Sequence, residues 1–349
     1  MMEFMKKAFF YLLTKENFQR FIILSLLYFA ILACTPEGHL PQQHTISNIK
    51  NKFQVIYSDD TIKELFEVKD LFTLKKSLST VAFVESSHIF KKETSVNEYV
   101  IDGIPLKETM NLCSSERFAQ QKQVSFCSGV LISPTQVLTV GHCVRKPQFC
   151  KSTLIAFDLQ AANGLDLFDD SEGIQLKEHQ LVHCKNVKLL TDKESKETGD
   201  SLALVELDHP IENRPFIEIP NKLNFKSVRD LQAIGHPLGL LKKVSTGHKL
   251  NRKNNSENVI YGSLDVYQGS SGSPIYSPEL NTFVGLLVSG ENDFLYDSEE
   301  KCWVSQKCDI TSPKNKCRGE KIITSTLIQK WLKAKPASKP KNKTNLLDK

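Results

Sequence analysis

The sequence predicts an all-β fold, a sandwich or a set of barrels, on three observations. Short runs rich in Val, Ile, Leu, Phe and Thr recur at 80–84, 124–133, 136–140, 153–157, 202–207, 259–267 and 282–289. Turn-rich loops separate them, which is the pattern of antiparallel strands rather than of βαβ units. Helical periodicity is scarce. The exception lies near the end, where Ser325 can cap a helix that places Leu327, Ile328, Trp331 and Leu332 on one face. The 349 residues allow one large domain or two ordinary ones, and 40% hydrophobic against 24% charged residues is a globular composition.

The ends of the chain carry different signals. Lys6, Lys7, Lys15 and Arg20 precede an apolar run of 13 residues at 21–33, a basic n-region followed by an h-region. That run is short for a bilayer span of about 20 residues. The stretch Ile31-Leu32-Ala33-Cys34 resembles the bacterial lipobox, which implies a signal peptide over 1–33 and lipidation of Cys34. An ordinary cleaved signal and an uncleaved anchor are the alternatives, and each exports the protein. Residues 34–78 read as a lipid-anchored tether or a pro-segment, and 79–333 as the folded domain. Residues 334–349, polar and rich in lysine, read as a disordered tail that supplies much of the net charge of +5. The basicity is therefore that of a solvated tail, and no nucleic-acid partner is expected. Beyond Cys34 eight cysteines remain, at 113, 127, 143, 150, 184, 302, 308 and 317, an even number suited to disulfides in an exported protein.

Three segments carry chemistry. The first runs through Cys127-Ser128-Gly129 to Thr139-Val140-Gly141-His142-Cys143, setting a histidine at the end of a strand where a neutral imidazole can take a proton from a hydroxyl. The second, Gly199-Asp200-Ser201-Leu202-Ala203-Leu204, sets a carboxylate directly before an apolar run. The third, Gln268-Gly269-Ser270-Ser271-Gly272-Ser273-Pro274, surrounds a serine with glycines between strand-like runs, which disfavours a flexible linker.

Together these motifs resemble those of trypsin-like serine peptidases, and the third is most similar to the Gly-Asn-Ser-Gly-Ser-Pro form of the bacterial glutamyl-endopeptidase branch. The resemblance covers about 79–333. It implies two six-stranded antiparallel β-barrels of the chymotrypsin-like type with a C-terminal helix, a catalytic triad of His142, Asp200 and Ser271, and an oxyanion hole from the amides of Gly269 and Ser271. It also implies a disulfide between Cys127 and Cys143. Ser270 departs from the aspartate of vertebrate-type members, so other hydrogen bonds must hold this loop. His236, in Gly235-His236-Pro237, reads as a structural histidine in a turn.

Asp265 lies six residues before Ser271, the offset at which trypsin-like members place the acid of their primary pocket. Gln268 and Gly290 are the other expected substrate-binding residues. The resemblance then implies cleavage after Arg or Lys, unless the pocket follows the glutamyl pattern. The expected partner is a protein or peptide substrate, with a membrane reached through the lipid anchor. The chain is expected to be a monomer in the bacterial cell envelope or secreted, without cofactor or metal. A catalytically silent binding protein and a serine esterase are the competing readings; the esterase elbow Gly-x-Ser-x-Gly is not the spacing found at Ser271.

Overall fold

The computed structural model of the protein describes residues 57, 60–93, 95–146, 148–164, 173–190, 201–308 and 317–333. The expected signal peptide, Cys34 and the basic tail lie outside them. Six antiparallel strands close the first barrel: β1 (Thr80–Glu85), β2 (Cys127–Ser133), β3 (Gln136–Val140), β4 (Thr153–Phe157), β5 (Leu181–Leu190) and β6 (Leu202–Leu207). Their order around the barrel is β5-β6-β3-β2-β1-β4. Every strand neighbours a partner on both edges, so no edge is left open to pairing. Val81, Phe83, Val130, Leu138, Ile155 and Val205 are fully buried in its core, and truncating a residue such as Phe83 to alanine would cost about 3–5 kcal/mol.

The second barrel consists of β7 (Asp230–Gly235), β8 (Lys243–His248), β9 (Val259–Gly262), β10 (Pro274–Ser277), β11 (Thr282–Ser289) and β12 (Glu320–Thr324). The sheet runs β8-β7-β10-β11-β12-β9. A bridge between Lys249 and Gly262 joins its ends, supported by bonds from Leu250 N–H to Tyr261 O at 2.8 Å and Ser263 N–H to His248 O at 2.8 Å. The run expected at 259–267 is strand only to Gly262; its later apolar residues Leu264, Val266 and Tyr267 are buried as a loop, which explains why their pattern continues. The two-barrel all-β fold of the sequence reading is the fold observed. Helix α2 (Ser325–Lys333) follows β12 and buries Leu327, Ile328 and Trp331 in a core shared with residues of both barrels.

Part of the segment expected as a tether or pro-segment, residues 57 and 60–78, packs against the folded body. Its described residues form helix α1 (Leu71–Ser77), capped by Asp70, which accepts from Thr73 N–H at 2.8 Å, and a strand, Lys63–Glu64, paired to β8. Glu64 is buried and meets the buried ammonium of Lys243 at 2.7 Å. Gln121 completes the group, accepting from Lys243 Nζ at 2.8 Å and donating to Glu64 Oε1 at 3.0 Å. A buried ion pair earns little net stability, but removing one partner strands the other charge. The N-terminal strap, from Tyr57 to Glu67, is thereby held to the second barrel. The sequence hides this because each of the three polar residues is unremarkable alone and their partners lie more than 50 positions away.

Four disulfides are formed. Cys127–Cys143 spans 16 residues, as the resemblance implies, and the others are Cys113–Cys302, Cys150–Cys184 and Cys308–Cys317. Crosslinks of this kind stabilise chiefly by restricting the unfolded chain. Among the described residues no helix is long and apolar enough to cross a membrane.

Candidate active site

β3 ends in the single turn Gly141–Val144, which carries His142 into solvent beside the Cys127–Cys143 crosslink. The turn is tight against β6: Gly141 N–H donates to Ser201 O at 2.6 Å, and a Cβ on Gly141 would fall 1.9 Å from Ser201 Oγ. Only glycine fits there. Asp200, the residue before Ser201, lies outside the described residues. The imidazole lies near the sulfurs of Cys127 and Cys143, all three ligand atoms falling within 4.8 Å of one another. Because both sulfurs are in the disulfide, they offer no thiolate for a metal.

The loop before β10 is held by hydrogen bonds rather than by an ion pair at Ser270. Leu238 N–H donates to Gln268 O at 2.6 Å, Ser270 N–H to Tyr267 O at 3.1 Å, and Ser273 N–H to Ser270 O at 2.9 Å. From the first barrel, Ser128 N–H donates to Ser271 O at 2.9 Å and Ser128 Oγ to Gly269 O at 3.2 Å. Gly269 and Gly272 adopt φ of +85° and +86°. A side chain on Gly269 would also press on Gly239 N and His236 O, at 2.9 and 3.0 Å. In this loop Gln268, Ser270, Gly272 and Ser273 all donate their amides. Among the described residues, the Gly269 and Ser271 amides donate to no protein acceptor. Two unengaged amides two residues apart are the donor pattern that a developing oxyanion needs.

A cavity of about 240 Å³ lies between the barrels' loops. It brings together His142 and Ser271, two of the expected triad residues, with the expected Gln268 and Gly290. Two carboxylates that sequence reasoning missed, Asp293 and Glu320, also line it, along with Glu291. Glu320 heads β12 opposite Gly290, and a Cβ on Gly290 would fall 1.8 Å from Glu320 Oε2. Burial pushes Glu320 well above the usual carboxylate range, and neighbouring Asp293 and Glu291 add to the effect. Desolvation likewise pushes Asp293 to about 7, opposed by the 2.7 Å bond it accepts from Gln268 N–H. The available signal was a buried-strand pattern, Ile322-Ile323, with an acid at its head.

Asp265, the expected pocket acid, does not line this cavity. Its buried carboxylate accepts from Tyr57 N–H at 2.8 Å, Thr61 N–H at 2.9 Å and Thr61 Oγ1 at 2.6 Å, all from the N-terminal strap. Donors from outside the expected domain thus occupy the side chain that the offset from Ser271 singled out. His236 is fully buried, with Nδ1 3.0 Å from Leu240 O, and its pKa is pushed down to about 3, chiefly by desolvation. It is neutral and does not line the cavity.

Comparison with solved structures finds several proteases. A Vibrio cholerae protease, VesB, aligns at 13% identity and a TM-score of 0.43, over 78% of this chain and 66% of its own length. A Glu endopeptidase aligns at 14% identity and 0.41, covering 73% of this chain and 94% of that one. An inactivated protease paralogue of the scabies mite aligns at 11% identity and 0.42, covering 72% and 89%. Comparison with curated proteins finds no match. Residues 127–286, from the cysteine that opens β2 to the middle of β11, match the family model of the trypsin-like peptidase domain.

Proposed function

We propose that the protein is an exported serine endopeptidase working through an acyl-enzyme. The observation that carries this reading is one cavity holding His142 and Ser271 beside the unengaged amides of Gly269 and Ser271. Ser271 Oγ attacks the scissile carbonyl carbon while His142 takes its proton. The charge that develops on the carbonyl oxygen is received by the two amides. Collapse expels the amine, which takes the proton from His142; water, deprotonated by His142, then releases the acid and restores the serine. Asp200 is assigned to orient the imidazole, a role supported by the hold of Gly141 on Ser201, one residue away. Four disulfides support export, which the apolar run at 21–33 and the lipobox-like stretch at Cys34 would direct. The test is hydrolysis of casein and of peptide and ester substrates by wild type and Ser271→Ala. Peptide cleavage lost in the variant is the expected result. Cleavage of esters alone points to an esterase, and unchanged cleavage in the variant rejects the reading.

A further inference from the structure

The cavity beside Ser271 has a wall of carboxyl groups, and its described lining holds no lysine or arginine. Among the described residues Asp293 and Glu320 form no ion pair, whereas Glu291 is met by Arg318 at 3.5 Å. The partners of Glu320 are neutral donors: the Tyr57 hydroxyl, 3.2 Å from Oε1, and the Glu291 backbone. Two carboxylates that share a poorly solvated wall cannot both ionise cheaply, so each is pushed toward its neutral form unless a cation enters. The space Glu320 occupies exists only because residue 290 lacks a side chain. The acid is therefore built into the cavity wall, not left over on its rim.

The occupant follows from the chemistry of Ser271. The carbonyl it attacks belongs to the substrate residue before the cut, so that residue's side chain lies nearest this cavity. A flexible apolar stem ending in an ammonium or guanidinium would pass the apolar lining of Leu287 and Val288 and set its charge against the acids. We infer that Glu320 and Asp293 are the specificity-determining residues for a lysine or arginine before the scissile bond, with Tyr57 of the N-terminal strap positioning Glu320. Asp265 is a docking point for that strap. The inference rests on the peptidase reading and assigns its pocket.

The test is a panel of peptides varied only at the residue before the cut, read as the ratio of kcat/KM for Lys to that for Leu. Glu320→Gln should lower the ratio about 30-fold or more, the effect of truncating one partner of a buried charge pair, and Asp293→Asn should lower it less. Asp265→Asn, which keeps an acceptor oxygen for the strap and does not line the cavity, should lower it least. A measurement on wild type alone guards against misfolded variants: butylammonium and butylguanidinium should compete with substrate, and n-butanol should not. A wild-type preference for Glu or Leu, or a Glu320→Gln protein that keeps the Lys ratio, overturns the inference. If Ser271 reacts with a serine-directed phosphonate and that preference is still absent, only this inference falls. If Ser271 does not react, the peptidase reading falls and takes it along.

Discussion

The loops that bear His142 and Ser271 and the wall that bears Glu320 are built by opposite means. The first combine short-range devices, a crosslink across 16 residues and turns such as Ser270 N–H to Tyr267 O, with backbone bonds that cross the fold, such as Ser128 N–H to Ser271 O. All of this is neutral. The wall is long-range and charged, and Glu320 meets a tyrosine 263 positions away. Nearby, Asp265 is fixed by donors 204 and 208 positions away. The loops proposed to carry the chemistry are held by neutral contacts, near and far, while the proposed selectivity depends on which distant segment closes over an acid.

Breaking the loop side should give the largest effects. Ser271→Ala and His142→Ala should each reduce kcat about 10,000-fold or more, and the double variant should be scarcely worse, since such residues act as one unit. Multiplying losses would mean that the two act separately. Single-turnover kinetics on all three variants decides it.

Breaking the anchorage of the wall should come next. Glu64→Gln leaves Lys243 buried with one partner removed, at a cost on the order of 3–5 kcal/mol, read from denaturant midpoints. Lys243, already pushed down to about 8 by burial, would then lose its proton more readily. A variant as stable as wild type would show that the strap is not held by this pair. Gly269→Ala sharpens the loop side: the added Cβ meets Gly239 N at 2.9 Å, so the amide should shift, lowering kcat about 100-fold with KM less affected.

The smallest expected effect is a pH dependence that belongs to the wall alone. Asp293 has its pKa raised to about 7 by burial, facing Glu320, Glu291 and His142 across the cavity. Because a raised carboxyl pKa means the charged form appears only above it, the Lys-to-Leu ratio should fall as pH drops through about 7. Effects of pH common to both peptides cancel in the ratio. A flat ratio from pH 8 to 5.5 would remove Asp293 from cation binding. The same shift bears on folding. Between the unfolded carboxyl range near 4 and about 7 the native state holds the extra proton, so this group contributes stability at acid pH that is lost as pH rises.

What could be read in the sequence follows the same division. The strands at 80–84, 136–140, 153–157, 202–207 and 282–289 were visible because buried barrel strands are nearly continuous apolar runs. β5 and β8 were not. β5 exposes Lys185 and Asn186, and β8 begins with Lys243, a charged residue that only Glu64 and Gln121 make tolerable inside. The histidine and serine motifs were legible because their residues are contiguous in sequence, although the atoms that require the glycines, such as Ser201 Oγ at Gly141, are distant. The offset argument placed the pocket acid at Asp265 because nothing near it in sequence announces Tyr57 and Thr61. Glu320 escaped notice because only the fold sets it against Gly290.

Activation of Ser271 as a nucleophile by His142 is the step on which the proposed chemistry rests. Its most direct measurement is reaction of the folded protein with a fluorophosphonate, followed by mass analysis of the peptide containing Gly269 to Ser273. The expected result is a single adduct on Ser271, absent in Ser271→Ala and strongly slowed in His142→Ala. Contradiction would be an unmodified Ser271, an adduct on another serine, or labelling of Ser271 at the same rate without His142.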